Sequence, residues 1–373
     1  MARVVGTGEN SKVKTLRLTV DANNLESPDA HEALDRAAGI LRAGGLVALP
    51  TETVYGLGAN ALDRAAVERI FQAKSRPAWD PVIVHVVSQA MLDGLVEEVP
   101  DAARKLMAAF WPGPLTLLLK RTRAVPDVVT AGRPLVGVRM PVHPVALELI
   151  RRAGVPVAAP SANRFGHVSP TTADHVLDDL DGRIDAVLDA GPTTRGVAST
   201  VLDPSTSPMV IYRPGAVTAE QIVEIAGPVA PYRSGEPLRE TLPDAPVAAL
   251  PSPGVGLKHY APRARLVLID APIGELSTCL AGAARSEPGE RLGLMLPEGI
   301  KPSTDIMVAQ QIEAAQIYPW GRWDAPETLA QGLYAGLRAL DAAGCTVILC
   351  PLPPAVGIGA AIRDRLIKAG SRE

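Results

Sequence analysis

Short apolar runs alternate with amphipathic stretches through the first two-thirds of the chain. LRLTV (Leu16–Val20) predicts a strand. DAHEALDRAAGILRAGG predicts a helix, with Leu34, Ala37, Ala38 and Leu41 on one face and Gly44 at its stop. LVALP predicts a buried strand, and DRAAVERIFQAK a second helix, N-capped by Asp63, with Val67, Ile70 and Phe71 facing the core. Further strands are predicted at PVIVHVV, LTLLLK, VGVRM, VPVAAP, AVLDA, STVLD and VIYRPG. So many strands with fewer helices between them point to a mixed, twisted sheet rather than a strictly parallel one.

The pattern breaks near Gly227. From Gly227 to Pro262 eight of 36 residues are proline, with no helical period, which reads as a semi-extended linker because proline fixes φ. Beyond it, ARLVLID, a helix at Gly274–Arg285, LGLMLP, a long helix at Ala325–Ala343, TVILCPL and a closing helix at Ala360–Ala369 predict a small α/β unit with a parallel sheet. The expected organisation is a first unit over 1–226, a linker over 227–262 and a second unit over 263–373.

Several breaks in the apolar pattern carry polar chemistry. After LVALP the chain turns into small polar and glycine residues, Thr51 to Gly58. The second helix ends in Lys74-Ser75-Arg76-Pro77 just before another apolar strand. Cations there can simply compensate the helix dipole. With Gly56 and Gly58 and the hydroxyls of Thr51, Thr53 and Tyr55, they can equally seat a polyanion. PSAN (Pro160–Asn163) follows a strand, where open α/β folds place their sites, and Ser169-Pro170-Thr171-Thr172 caps a helix at Ala173. Arg139 lies between Val138 and Met140, so it faces an exposed edge or an anion. His85, in VIVHV, is a core residue or a ligand. No GxxxxGK[ST] is present, and the lone GxG pairs do not complete a dinucleotide fingerprint.

Bulk composition narrows the field. At 47% hydrophobic and 21% charged the chain is globular with sizeable cores. A net charge of -3 and 3% aromatics argue against a general nucleic-acid binder or a base-stacking platform. Cys279, Cys345 and Cys350 lack metal or redox spacing and read as reduced core thiols. No apolar run nears the ~18 residues that span a bilayer, and MARVVGTGENSKVK has no signal-peptide core. A cytoplasmic protein without membrane attachment is the expectation.

Taken in order, PTETVYGLG, KSRP, PVIVH, WPGPLT, VRMP, PSAN, STVLD and YRPG closely resemble the threonylcarbamoyl-AMP synthase family and its YrdC-like domain. The likeness covers Asn24 to Gly227 and continues through KHYAP into LYAGLRALDAAG and GIGAAIRDRL, as in the long, two-domain form. It implies a YrdC-like mixed-sheet domain with a central cleft and a Rossmann-like C-terminal domain. It implies condensation of L-threonine, bicarbonate or CO2, and ATP to threonylcarbamoyl-AMP and pyrophosphate, with Mg²⁺ accompanying ATP. A downstream threonylcarbamoyl-transferase complex then modifies tRNA, which this chain would serve indirectly.

Carried over motif by motif, Lys74 and Arg76 resemble the cations that meet the ATP phosphates and are the expected catalytic pair. Arg76, Asp80, Ser161, Asn163, Ser169 and Arg213 resemble the ATP site. The family usually has Asn at the position of Asp80. Thr53, His85, Arg139 and Ser199 resemble the threonine-binding set. His259 and Tyr260 belong to a linker expected to cross the cleft as a lid, a passive tether being the alternative. Two rival readings are a tRNA or double-stranded RNA binding module without adenylate formation, and carbamoyl transfer in hydrogenase maturation. The second would bring an acylphosphatase segment and zinc-finger cysteines, and neither is in the sequence.

Overall fold

The computed structural model describes residues 14–233, 250–252, 255, 260–301 and 316–371. His259 and most of the proline-rich stretch lie outside the described residues.

The first unit contributes β1 (Leu16–Thr19), β2 (Val47–Pro50), β3 (Tyr55–Asn60), β4 (Ile83–His85), β5 (Leu115–Lys120) and β6 (Leu135–Arg139). It continues with β7 (Val157–Ala158), β8 (Ala186–Asp189), β9 (Thr200–Asp203), β10 (Met209–Arg213) and β11 (Val229–Pro231). The last lies in the stretch expected to be linker, whose first residues instead pair with β10 as an edge strand. Among the described residues these form one eleven-stranded sheet, ordered β1-β8-β2-β3-β7-β4-β6-β5-β9-β10-β11. Parallel pairs such as β4–β6 and β5–β9 alternate with antiparallel ones such as β2–β3 and β5–β6. The sheet is mixed, as the ratio of strands to helices predicts.

Both faces are covered, which is why β2 reads as an unbroken apolar run. Val47 and Leu49 pack on one side with the helices Pro28–Arg42 and Pro144–Ala153. Leu46 and Ala48 pack on the other with Val67, Ile70 and Phe71 of the helix Arg64–Lys74. Asp63 caps that helix as expected, its Oδ1 accepting from the backbone of Ala65 and Ala66. The helix ends because Ser75 adopts a left-handed conformation (φ 53°), with its N–H turned back to the carbonyls of Phe71 and Gln72.

One expectation is corrected. Gly56 and Gly58 do not form a phosphate-binding turn; they lie within β3, hairpin partner of β2. A Cβ on Gly58 would come within 2.9 Å of Leu49 and Val157 side chains, so this glycine serves close packing. The polar link is only Thr51–Val54, closed by the Thr51 hydroxyl donating to Val54 O at 2.6 Å.

The second unit contributes β12 (Arg265–Ile269), β13 (Leu292–Leu296), β14 (Ile317–Pro319) and β15 (Val347–Pro351), all parallel and ordered β12-β15-β13-β14. In β15, Val347 and Leu349 face one core while Ile348 and Cys350 face another. That second core crosses the boundary between the units. Val54, Val168 and Val197 of the first unit pack in it with Trp320, Leu329 and Tyr334 of the second. All three cysteines are free, and no described helix is long and apolar enough to cross a membrane.

Candidate active site

Strand ends and the loops beside them converge on one cleft with about 770 Å³ of empty space, its open mouth included. His85 ends β4, Arg139 ends β6 in parallel register with it, and Arg213 ends β10. Ser199 immediately precedes β9, and PSAN follows β7. Thr53, Lys74, Arg76, His85, Arg139, Ser161, Asn163, Ser169, Ser199, Arg213 and Tyr260 all line this cleft.

Each cation is held by a specific set of acceptors. Lys74 is buried, and its Nζ donates to the carbonyls of Asn163 and, at 2.5 Å, of Ser161. Burial first, then the neighbouring Arg76, drives its pKa well below the ordinary lysine value. Arg76 folds back on its own turn, with Nε donating to Asp80 O and Nη2 to Pro81 O at 2.8 Å. Its Nη2 also meets Asp80 Oδ2 at 2.9 Å, and the guanidinium lies 6.0 Å over the Phe165 ring. Asp80 is buried behind Arg76 and is not part of the cleft wall. Burial raises its carboxyl pKa against the pull of Arg76 and Lys74. Its placement is that of a counter-charge to Arg76.

Arg139 resolves the choice left open by its strand. It is buried, and its partner is Glu52, whose carboxylate accepts from Nη2. Nη1 donates to Thr53 Oγ1 at 3.1 Å and Nε to Gly113 O at 3.2 Å. The other Glu52 oxygen accepts from Val142 N. Sequence reasoning missed Glu52; the only signal was an acid amid hydroxyls in PTET beside an apolar strand. His85 lies beside Arg139, and burial, then that charge, lowers its pKa to about 3, so the imidazole is neutral. Ser199 shares a hydrogen bond of 2.8 Å with Thr116, a second residue the sequence did not flag. Arg213 donates twice to Ser199 O and once, at 3.0 Å, to its hydroxyl.

Tyr260, the one described member of the expected lid pair, is buried with φ 66°. It stacks on Tyr334 at 5.6 Å and lies under the Arg365 guanidinium at 5.4 Å. It forms part of the cleft wall and packs on the second unit.

Fold and site together define a two-unit α/β protein with a cationic, hydroxyl-rich cleft for small anionic molecules. Its relatives make the class specific. The chain belongs to the threonylcarbamoyl-AMP synthase family. A family model described as "Telomere recombination" matches residues 39–215, and one described as "Threonylcarbamoyl-AMP synthase, C-terminal domain" matches 217–371. The Pyrococcus abyssi threonylcarbamoyl-AMP synthase is 40% identical over 89% of this chain and 92% of its own. The Bacillus subtilis protein of that name is 40% identical over 96% and 98%. A solved structure of P. abyssi Sua5 complexed with L-threonine superposes with a TM-score of 0.83 at 38% identity, covering 95% of this chain and 98% of that one.

Proposed function

We propose that this chain is an L-threonylcarbamoyladenylate synthase. The observation that carries the reading is the meeting of two residue sets in one cleft. Arg213, of the expected ATP set, donates directly to Ser199, of the expected threonine set. A nucleotide and an amino acid bound by these sets would therefore be neighbours, as a condensation requires.

The chemistry follows from the groups present. The threonine amine attacks the carbon of CO2 with loss of a proton to solvent, or of bicarbonate with loss of water, giving an N-carboxylate. One carboxylate oxygen attacks the α-phosphorus, the bond to the β,γ-diphosphate breaks, and pyrophosphate leaves. Negative charge builds on phosphoryl and leaving-group oxygens, where fixed cations act most strongly. Arg76 and Arg213 are those cations, oriented by carbonyls and Asp80, and a bound polyphosphate would raise the buried Lys74 amine beside them back toward its charged form. Arg139, locked by Glu52, faces the threonine carboxylate, and Thr53, His85 and Ser199 offer the polar contacts around it. Mg²⁺ arrives with the triphosphate as part of the substrate. Among the described residues no three carboxylate, histidine or cysteine side chains cluster to hold a metal. The product passes to a threonylcarbamoyl-transferase complex that modifies tRNA.

Pyrophosphate release should require threonine, bicarbonate and ATP together, with the adenylate seen by mass spectrometry. Release without threonine, or tRNA binding without turnover, would sink this reading in favour of another nucleotidase or an RNA-binding module.

A further inference from the structure

The second unit contacts residues of the cleft wall. Arg338, on the helix Pro326–Ala342, turns away from its own unit. Its Nη2 donates to Val168 O at 2.6 Å and to Asp179 Oδ2 at 2.6 Å, and its Nε donates to Ser169 O at 3.4 Å. Asp179 Oδ1 lies 2.9 Å from His167 Nδ1. The Val168 side chain is buried in the core shared by both units. Val168 and Ser169 are thus fixed from outside their own unit, and His167 indirectly, through the Asp179 that Arg338 also holds; His167 and Ser169 line the cleft. The hold extends further. The Asn163 amide donates to His167 O at 2.8 Å, and the carbonyls of Asn163 and Ser161 grip Lys74.

The threonine side is held differently. Its hydrogen bonds lie within the first unit: Arg139 is fixed by Glu52 and Gly113, Thr53 by Arg139 and Thr51, and Ser199 by Thr116 and Arg213, while the second unit meets these loops only through the apolar side chains of Val54 and Val197. We propose that Arg338 is a positioning residue for the nucleotide side of the cleft, acting through Val168, Ser169 and Asp179 without touching substrate. This rests on the assignment of Ser161, Asn163 and Ser169 to ATP under the proposed function. A planar guanidinium suits the task, because its fork of donors can span two carbonyls and a carboxylate at once.

The test uses the full chain, with affinities for Mg·ATP and for L-threonine measured separately by calorimetry beside thermal unfolding. Arg338→Met should weaken ATP by about tenfold or more and leave threonine within about twofold, since a misplaced wall costs binding steeply. Arg338→Lys should recover part of the loss, as an ammonium reaches one carbonyl but cannot span the set. Asp179→Asn should move ATP affinity the same way by a smaller factor, and serves if Arg338→Met folds poorly. Arg363→Met is the charge-matched control, because Arg363 pairs with Asp270 inside the second unit; it should leave both affinities unchanged. Unchanged ATP affinity in the Arg338 and Asp179 variants would overturn the proposal. So would equal loss of ATP and threonine in step with melting temperature. If the ATP contrast appears but the wild-type protein makes no adenylate, the proposed function falls and the positioning role stands. If turnover is normal and the contrast is absent, the reverse holds.

Discussion

Buried at the end of β6, Arg139 needs a counter-charge, and Glu52 provides it. Glu52→Ala should therefore cost about 3–5 kcal/mol, the usual penalty for stranding one half of a buried pair. Thermal unfolding and threonine titration check this, and an unchanged melting temperature would refute it. Lys74 and Arg76 demand a similar revision of a simpler expectation. In sequence they look like turn residues whose loss removes only a phosphate contact, worth roughly 1.5–3 kcal/mol of binding. In the fold Lys74 is buried and grips two loop carbonyls, while Arg76 neutralises Asp80. Lys74→Ala and Arg76→Ala should thus lower turnover by about ten- to hundredfold and also lower the melting temperature. Full pyrophosphate release at saturating ATP in either variant would reject the assignment. His85 adds a pH dependence. The folded chain holds this ring neutral down to about pH 3, whereas an unfolded histidine takes up a proton near 6.5. Its contribution is whole above pH 6.5 and drains as pH falls toward 3. His85→Asn should flatten the acid limb of stability by at most about 1.4 kcal/mol per pH unit. Unfolding curves between about pH 6 and pH 4 measure that difference.

Among the elements, those with a strong local period were readable. The helix Arg64–Lys74 announced its cap and its apolar face, and β2 announced its two-sided burial through VALP. β3 was not readable, because its glycines mimic a turn. Gly58 is explained by its packing on Leu49 and Val157, and Gly56 by its closeness to Ala159, pairings that come only with the folded sheet. Gly58→Ala should cost about 1–3 kcal/mol by overpacking that hairpin. Ser75 offers the opposite change. It is exposed and sits at φ 53°, so Ser75→Gly should raise stability by up to about 1 kcal/mol. Denaturant unfolding of the two variants should shift in opposite directions; a stabilised Gly58→Ala would contradict the first account, and a destabilised Ser75→Gly the second.

For the whole molecule, the order of motifs made the α/β class and most of the cleft legible. Eleven expected site residues line one cleft, several of them at strand ends where polar residues interrupt apolar runs and the rest in the loops and helix end beside them. Partners across the chain were not legible. Glu52 meets Arg139 across 87 positions, and Arg338 meets Val168 across 170. An arginine in LYAGLRALDAAG looks like any charge on a helix's outer face until the other unit is set against it.

The valines at 54, 168 and 197 have a further consequence, for heat. Each comes from a loop that helps build the cleft, and each is sealed among side chains of the other unit. Melting either lobe alone would expose that shared core to water. The chain should therefore behave as a single cooperative system, with one endotherm in scanning calorimetry. A ligand confined to the cleft should then carry the entire peak upward by mass action, including the melting of a lobe it never touches. Two peaks, of which ATP or threonine moves only one, would show that the seam opens before either side melts.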